Sequence, residues 1–243
     1  MNVQKSSKPR IFALTLIELL VIVAIIGVLA GLLLPVYLNA HRERGYKFIN
    51  ARVEMKNLQA AISSYDTAYG HLPIPDSDTN SDVTFGISST AISEFQKIPA
   101  TRLIASNSDL MIILLDVDRG VNAGHKLNPQ KTVFIDPKRV NDTKSPGVST
   151  VDDQLRDPWG NPYIITLDSN HDNECRDAVY ANAAVSQQSG SVGYYGLSST
   201  NGNGTNFELK SDVMIWSRGP DGKTSADDKA NAGVNKDNVL SWQ

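Results

Sequence analysis

Residues 14–34 read LTLIELLVIVAIIGVLAGLLL, and this apolar run decides how the chain is organised. It is roughly 21 residues long, enough to cross a ~30 Å hydrocarbon core as a helix. Three basic residues, Lys5, Lys8 and Arg10, stand on its N-terminal side. Because a basic flank stays in the cytoplasm, the pattern predicts a single membrane span over 14–35, with the remainder of the chain outside that membrane.

A secretory signal peptide and a plain signal anchor are the two ordinary alternatives for such a run. A signal peptide has a short apolar core followed by small residues at a cleavage site, whereas this run is long and continues past Pro35 into a helical pattern. A plain anchor leaves Glu18 without a role, although it is the one charged residue in the run. A carboxylate at that place is costly unless it finds a partner or reaches water at the interface.

The segment ALTLIELL at 13–20 resembles the cleavage and methylation site of type IV pilins and pseudopilins. The resemblance implies that a prepilin peptidase cuts between Ala13 and Leu14, removes 1–13 as a cytoplasmic leader, and leaves Leu14 as an N-methylated terminus. It also implies that Glu18 pairs with that terminal amine on a neighbouring subunit, a pair better suited to setting register than to adding stability. The family usually has Gly before the cut and Phe after it, and this chain has Ala13 and Leu14.

Residues 36–70 continue as a predicted amphipathic helix that ends at Gly70. Pro35 lies at the start of this part, where a proline either ends the membrane span or kinks the helix. In pilin-like filaments a proline at this distance marks a stretch that loses helicity on assembly. The apolar residues recur every three or four positions, which predicts a stripe packed on a sheet: Ala51, Met55, Leu58, Ile62, Tyr65 and Tyr69.

The middle of the chain, residues 71–150, is predicted to be a loop-rich insertion with no assigned function. Polar and turn-forming residues indicate a surface loop over 72–93. The pattern SNSD followed by LMIILLDV, beginning at Ser106, predicts a short capped helix. Together with the first seventy residues, this gives an α+β prediction: a pilin-like fold whose long N-terminal helix packs on a small antiparallel sheet.

The third part of the chain, residues 151–243, carries a second resemblance. Arg156 begins the segment RDPWGNPY, whose Asp-Pro and Gly-Asn-Pro steps are typical of a rigid turn before a strand. Combined with the N-terminal segment, it is similar to the hallmark of the major pseudopilin of type II secretion systems. We expect its role to be architectural.

The C-terminal loop is a candidate calcium site, and the competing interpretation is an acidic, solvated loop. Calcium takes six to eight oxygens from carboxylates, carbonyls and water. The resemblance to the major pseudopilin implies that Asp221, Asp227 and Asp228 are side-chain ligands and that Arg218 contributes its backbone carbonyl. A similar alternation of oxygen side chains follows Asp168, but it lacks the Gly and Glu of a full calcium loop. We interpret that stretch as a hairpin turn.

The composition and motifs favour a structural protein over an enzyme. The net charge is −3 and there is one cysteine, so neither a nucleic-acid partner nor an internal disulfide is expected. No nucleophile elbow, phosphate loop or zinc pattern occurs. The resemblance implies a pseudopilin in the bacterial inner membrane, with a periplasmic head. It would assemble into a homo-oligomeric helical filament with other pseudopilins on an inner-membrane assembly platform, and this filament would drive protein export. The alternatives are a type IV pilin or minor pilin and, less favoured, a membrane-anchored extracytoplasmic binding domain.

Overall fold

A long N-terminal helix and a small mixed sheet make the protein α+β. The computed structural model describes residues 16–75, 81–87, 101–199, 202 and 204–243. Within them the chain falls into two compact units, one ending at Tyr46 and the other covering Lys47–Gln243. Helix α1 covers Leu16–Tyr69 and therefore contributes to both units.

The first part of α1, Leu16–Leu34, is long and apolar enough to cross a membrane, by length and composition. None of this stretch is buried inside the protein. The helix ends where the glycine stop predicted it would: Gly70 has a φ of +72°, and its N–H donates to the carbonyl of Asp66 at 2.7 Å. Glycine takes this left-handed conformation without the Cβ penalty that other residues incur.

The second part of α1 confirms the predicted apolar stripe. Its buried members include Met55, Leu58, Ile62 and Tyr65, each 0% exposed, and Tyr69 is partly buried at the far end. Residues three and four apart share one face of a helix, so the stripe faces the sheet, while Arg52 and Lys56 are exposed and Glu54 is half-buried.

The main sheet has five strands in the spatial order β10-β9-β6-β1-β2. In chain order these are β1 (Asp82–Phe85), β2 (Thr101–Ile104), β6 (Ile164–Leu167), β9 (Val213–Ser217) and β10 (Val239–Leu240). The predicted antiparallel pairing is correct for β10-β9, β9-β6 and β6-β1. It is wrong for β2, which pairs parallel to β1; a parallel neighbour leaves no local turn signature in the sequence.

Both faces of the main sheet are covered, which explains why β9 is apolar without alternation. Ile215 and Leu167 point towards the α1 stripe in one buried cluster. Met214 and Trp216 point the other way, into a second cluster with Tyr180 and segments of the C-terminal half. Successive residues of a strand face opposite sides, so one apolar strand supplies both clusters.

The 71–150 region contributes ordered structure that the sequence did not predict. The interpretation of 72–93 as a surface loop is wrong for β1, which is fully buried and central in the sheet. β1 is only four residues long and lies between turn-forming residues, so its alternation is too short to be distinctive. The predicted short helix is confirmed as α2, Ser108–Leu114, but the predicted cap is not, since the side chain of its N-cap residue Asn107 makes no capping hydrogen bond.

Smaller elements complete the described chain. A three-stranded sheet holds β3 (Arg139–Val140), β4 (Gly147–Ser149) and β5 (Leu155–Arg156), and β7 (Gln187–Ser189) pairs with β8 (Val192–Gly193). Helix α3 covers Ala183–Ser186, and 3-10 turns cover Gly120–His125, Tyr194–Gly196, Gly219–Asp221 and Gly233–Asp237. Asn107, which precedes α2, donates to the carbonyls of Leu155 and Tyr163 at 2.9 Å each and so ties the insertion to the C-terminal half.

Candidate functional site

The processing residues predicted from the N-terminal segment are only partly visible. Ala13 and Leu14 lie outside the described residues. Glu18 lies in the first turn of α1 and its side chain is exposed, like its apolar neighbours. Pro35 lies within α1. Cleavage and methylation at the N-terminus therefore remain predictions.

The Asp157–Asn161 turn is organised around one buried carboxylate. Asp157 is 0% exposed, and its Oδ1 accepts the backbone N–H groups of Trp159 and Asn161 at 2.9 and 2.8 Å. Its Oδ2 accepts the hydroxyl of Ser217. Burial raises the pKa of Asp157, while these hydrogen bonds lower it. A carboxylate with this many donors holds the turn rigidly, as the sequence interpretation expected.

The same turn is joined to the C-terminal loop, so the two segments singled out in the sequence meet. The amide Nδ2 of Asn161 donates to the carbonyl of Gly219 at 2.9 Å. The N–H of Gly219 donates to Ser217 Oγ at 2.9 Å. Gly219 has a φ of +63°, and a Cβ there would collide with the Asp237 carbonyl. Only glycine fits a backbone that is both left-handed and this close to a neighbour.

Trp159 supplies the apolar anchor of the turn. It packs edge-on against Phe48 of α1, with ring centroids 5.0 Å apart. This edge-to-face arrangement is one that aromatic pairs prefer. At the other end of the chain Trp242 packs against Tyr180, 5.3 Å away, and docks the C-terminal tail on the second buried cluster.

The C-terminal loop is held by an internal hydrogen-bond network that the sequence interpretation did not include. Asn235 is almost fully buried. Its Nδ2 donates to the carbonyls of Ser225 and Asp228 at 2.9 and 2.7 Å, and its Oδ1 accepts the N–H of Ser225 at 3.0 Å. The Asp228 carboxylate accepts the N–H of Val234 at 3.1 Å. An asparagine in a polar tail gives no distinctive sequence signal, which is why Asn235 was missed.

Asp221 has a carboxylate neighbour that was also missed, Asp237. A buried oxygen of Asp237, Oδ1, has no hydrogen-bond partner. Burial raises the pKa of Asp237, and the charge of Asp221 raises it further. Two carboxylates that repel one another across a loop are a chemically suitable place for a cation.

The predicted calcium ligands do not gather as one carboxylate cluster. Asp221 lies at the Arg218 turn, whereas the backbone N–H groups of Asp227 and Asp228 donate to Ser225 Oγ. Within the described ranges no three acidic, histidine or cysteine side chains are placed to hold a metal ion together. Calcium also accepts backbone carbonyls and water, so Asp221 and Asp237 with carbonyls of the loop fit its ligand requirements. Arg218 is largely buried, which lowers the pKa of its guanidinium, and Asp157 opposes that shift.

Comparison with known proteins found no match of this chain to a family model, to a curated protein or to a solved structure.

Proposed function

We propose that the chain is a structural pseudopilin: a membrane-anchored subunit of a type II secretion-like filament that drives protein export. The observation that carries the proposal is the division of α1. Its first part exposes an apolar surface over Leu16–Leu34 that is interrupted by one charged residue, Glu18, in the first turn. Its second part packs a stripe on a sheet. A subunit that passes from a membrane into a filament requires a helix of this kind, because the same apolar surface contacts lipid before assembly and other subunits afterwards.

The proposed maturation begins with a prepilin peptidase, which cuts between Ala13 and Leu14 and is followed by N-methylation of Leu14. Glu18 then accepts the terminal amine of a neighbouring subunit. Because two opposite charges in an apolar surrounding are favourable only with good geometry, this contact selects one register among many. The partners are further copies of the chain, other pseudopilins and an assembly platform in the bacterial inner membrane, with the head in the periplasm.

Intact mass spectrometry of the protein from native membranes tests this proposal. The expected species begins at Leu14 and carries one added methyl group. A chain that still begins at Met1 contradicts the proposal and favours a membrane-anchored extracytoplasmic domain. If the mature chain begins at Leu14 but its absence abolishes adhesion, motility or DNA uptake and leaves protein export intact, the chain is a type IV pilin or minor pilin instead.

The assembly role of Glu18 is tested by Glu18→Gln, with Glu43→Gln as the matched control. Both are single carboxylate-to-amide changes at exposed positions of α1. We expect the Glu18 variant to be processed and to remain in the membrane, but to give few sheared filaments. The Glu43 variant should assemble like the unchanged chain. Equal filament yields from both variants would exclude the proposed pairing.

Calcium is the proposed structural cofactor of the C-terminal loop. Arg218 (through its carbonyl), Asp221, Asp227 and Asp228 are the candidate ligands from the sequence, and we propose Asp237 as a further ligand beside Asp221. The ion would supply positive charge between carboxylates, while the chain itself orders the loop through Asn235. We expect chelation to lower the thermal midpoint of the full-length chain in detergent, and Asp221→Asn to reduce that response. Asp136→Asn, in the insertion, is the control and should retain it. An unchanged midpoint after chelation would rule out a stabilising ion.

A further inference from the structure

A second cluster of acidic residues lies in the loop that follows β6, far along the chain from the C-terminal loop. Oxygen-bearing side chains alternate through it at Asp168, Asn170, Asp172 and Glu174. Asp168 accepts the N–H groups of Asp172 and Asn173 at 3.3 and 2.8 Å. The segment follows β6 and ends at Cys175, whose backbone pairs with that of Leu209 in an isolated antiparallel β-bridge. It is therefore a loop between elements, and the prediction of a simple hairpin turn is wrong.

The strand register places another carboxylate opposite this loop. Val83 pairs with Leu167 in the antiparallel ladder of β1 and β6, so Asp82 lies across from Asp168. The hydroxyl of Ser169 donates to the Ser81 carbonyl, which shows that the two chains stay side by side past the ladder. Directly opposed residues of antiparallel strands project from the same face with Cβ atoms about 5 Å apart.

Asp82 is buried, and only one of its two carboxylate oxygens accepts a hydrogen bond. It is 2% exposed, and its Oδ2 accepts the N–H of Arg176 at 2.6 Å. Its Oδ1 is buried and has no hydrogen-bond partner. Burial raises the pKa of Asp82 to about 7, and the charges of Asp168 and Asp172 contribute to the increase.

Asp177, on the same side of the sheet, shows how this protein otherwise treats a buried carboxylate. It is 0% exposed, and its two oxygens accept four hydrogen bonds. The donors are the hydroxyl of Thr166, the indole of Trp216 and the N–H groups of Val179 and Tyr180. Buried polar groups are normally satisfied in this way, so the bare oxygen of Asp82 is an exception that requires a ligand or a proton.

A second bare oxygen lies on the other flank of the same loop. Glu208 is 2% exposed and forms an ion pair with Arg176 through Oε2, while its Oε1 is buried without a partner. Glu174 lies against it and raises its pKa further beyond the effect of burial. Three carboxylates, Asp82, Asp172 and Glu208, therefore act on the guanidinium of Arg176, and Asp168 and Glu174 add further negative charge next to Asp82 and Glu208.

We propose that this loop binds a divalent cation with the chemistry of calcium, held by two carboxylates, Asp82 through Oδ1 and Asp168, while Asp172 adds negative charge beside them without being a ligand. A cation fits better than a second arginine or lysine because the surrounding groups are oxygens of a flexible loop, the ligand set that Ca²⁺ takes. Backbone carbonyls and water complete its coordination. A cavity of about 220 Å³ adjoins the loop and has three carboxylates in its lining, Asp66, Asp168 and Asp212.

The test is a titration of the calcium-free, full-length chain in detergent with CaCl₂ by isothermal calorimetry. Asp172→Asn is the main variant, because Asp172 is exposed, and circular dichroism is the check that the variant is folded. We expect it to weaken calcium binding at this loop at least tenfold. Asp82→Asn should abolish binding there, and it should not lower the thermal midpoint of the calcium-free chain, since it removes a buried charge.

The Asp221→Asn variant separates this site from the one proposed in the C-terminal loop. In that background one calcium ion should still bind, and adding Asp172→Asn should weaken it. That outcome supports the second site whether or not the C-terminal loop binds calcium. If Asp172→Asn and Asp82→Asn both leave the number of bound ions and their affinity unchanged, the second site is excluded and the proposal for the C-terminal loop is unaffected.

Discussion

The two parts of α1 differ in apolar content and have opposite surroundings. Over Leu16–Leu34 the large side chains are exposed, with Leu16 82% and Leu32 66% accessible. Beyond Lys47 the large apolar side chains of the stripe are covered by the sheet, and Leu58 is 0% accessible. The difference lies in spacing, since the first part is apolar on every side and the second on one side. An apolar helix surface has to be shielded from water, and the distribution of apolar residues around the helix indicates whether lipid or the protein's own sheet shields it.

The largest effect we expect comes from truncating a side chain of the second part that is buried against the sheet. Leu58→Ala deletes a fully buried side chain and should lower the free energy of unfolding by about 2–5 kcal/mol, through lost burial and the cavity left behind. Val53→Ala is the matched control on the same helix, because Val53 is 50% exposed. Denaturant unfolding of the full-length chain in detergent measures both. Equal losses would contradict the division of the helix into a covered and an uncovered side.

An introduced charge should have its larger effect in the first part of α1. Val28→Arg places a cation near the middle of Leu16–Leu34 and should disfavour membrane insertion by about 3 kcal/mol. Val53→Arg should have no such effect, since that part of α1 belongs to the second unit. Extraction of membranes at alkaline pH gives the readout. If the Val28 variant stays in the membrane fraction as completely as the Val53 variant, the apolar run is not a span.

The smallest expected effect concerns Glu54, a charge on the covered side of the second part. Tyr163 donates to its Oε2 at 2.6 Å. Burial raises the pKa of Glu54 above its ordinary value of 4.5, and the tyrosine bond opposes this in part. Because the folded state favours the protonated acid, the contribution of Glu54 to stability is complete below pH 4.5 and declines as pH rises through the raised pKa.

Glu54→Gln should remove that decline while keeping an acceptor for Tyr163. We expect the variant to gain stability relative to the unchanged chain as pH increases from 4.5 towards neutrality, with little difference in more acidic solution. Thermal midpoints measured across this range show the trend. Glu43→Gln, at an exposed position of the same helix, is the control, and its thermal midpoint should change with pH as that of the unchanged chain does. A Glu54 variant whose midpoint also changes in that way would mean that burial does not perturb this carboxyl.

Features that depend on local pattern were predicted well. The end of α1 at Tyr69, the apolar stripe and helix α2 each follow from the spacing of a few neighbouring residues, and all three are confirmed. The Asp157 turn was expected to be rigid, since Asp and Asn hydrogen-bond their own backbone locally. The structure shows the bonds that make it so.

Features that depend on distant partners were not predicted. β1 was taken for loop because four residues carry little pattern, and its burial comes from β6, about eighty positions away along the chain. Asn235 and Asp237 became candidates only when the C-terminal loop was seen folded on the Gly219 turn. The unpartnered oxygen of Asp82 could not be predicted from the sequence. Whether a buried oxygen lacks a hydrogen-bond donor depends on all the residues that surround it in the folded chain.

The sequence by itself determined that this protein has one apolar helix able to cross a membrane, followed by a helix with a single apolar face. Hydrophobic length and periodicity are properties of consecutive residues, so no folded structure is needed to recognise them. Only the tertiary structure decided that Asp157 joins the C-terminal loop through Ser217, and that Asp82 lies opposite Asp168. Those relations arise from strand register and loop closure, where the energy of a charge depends on groups that are remote in the chain and adjacent in space.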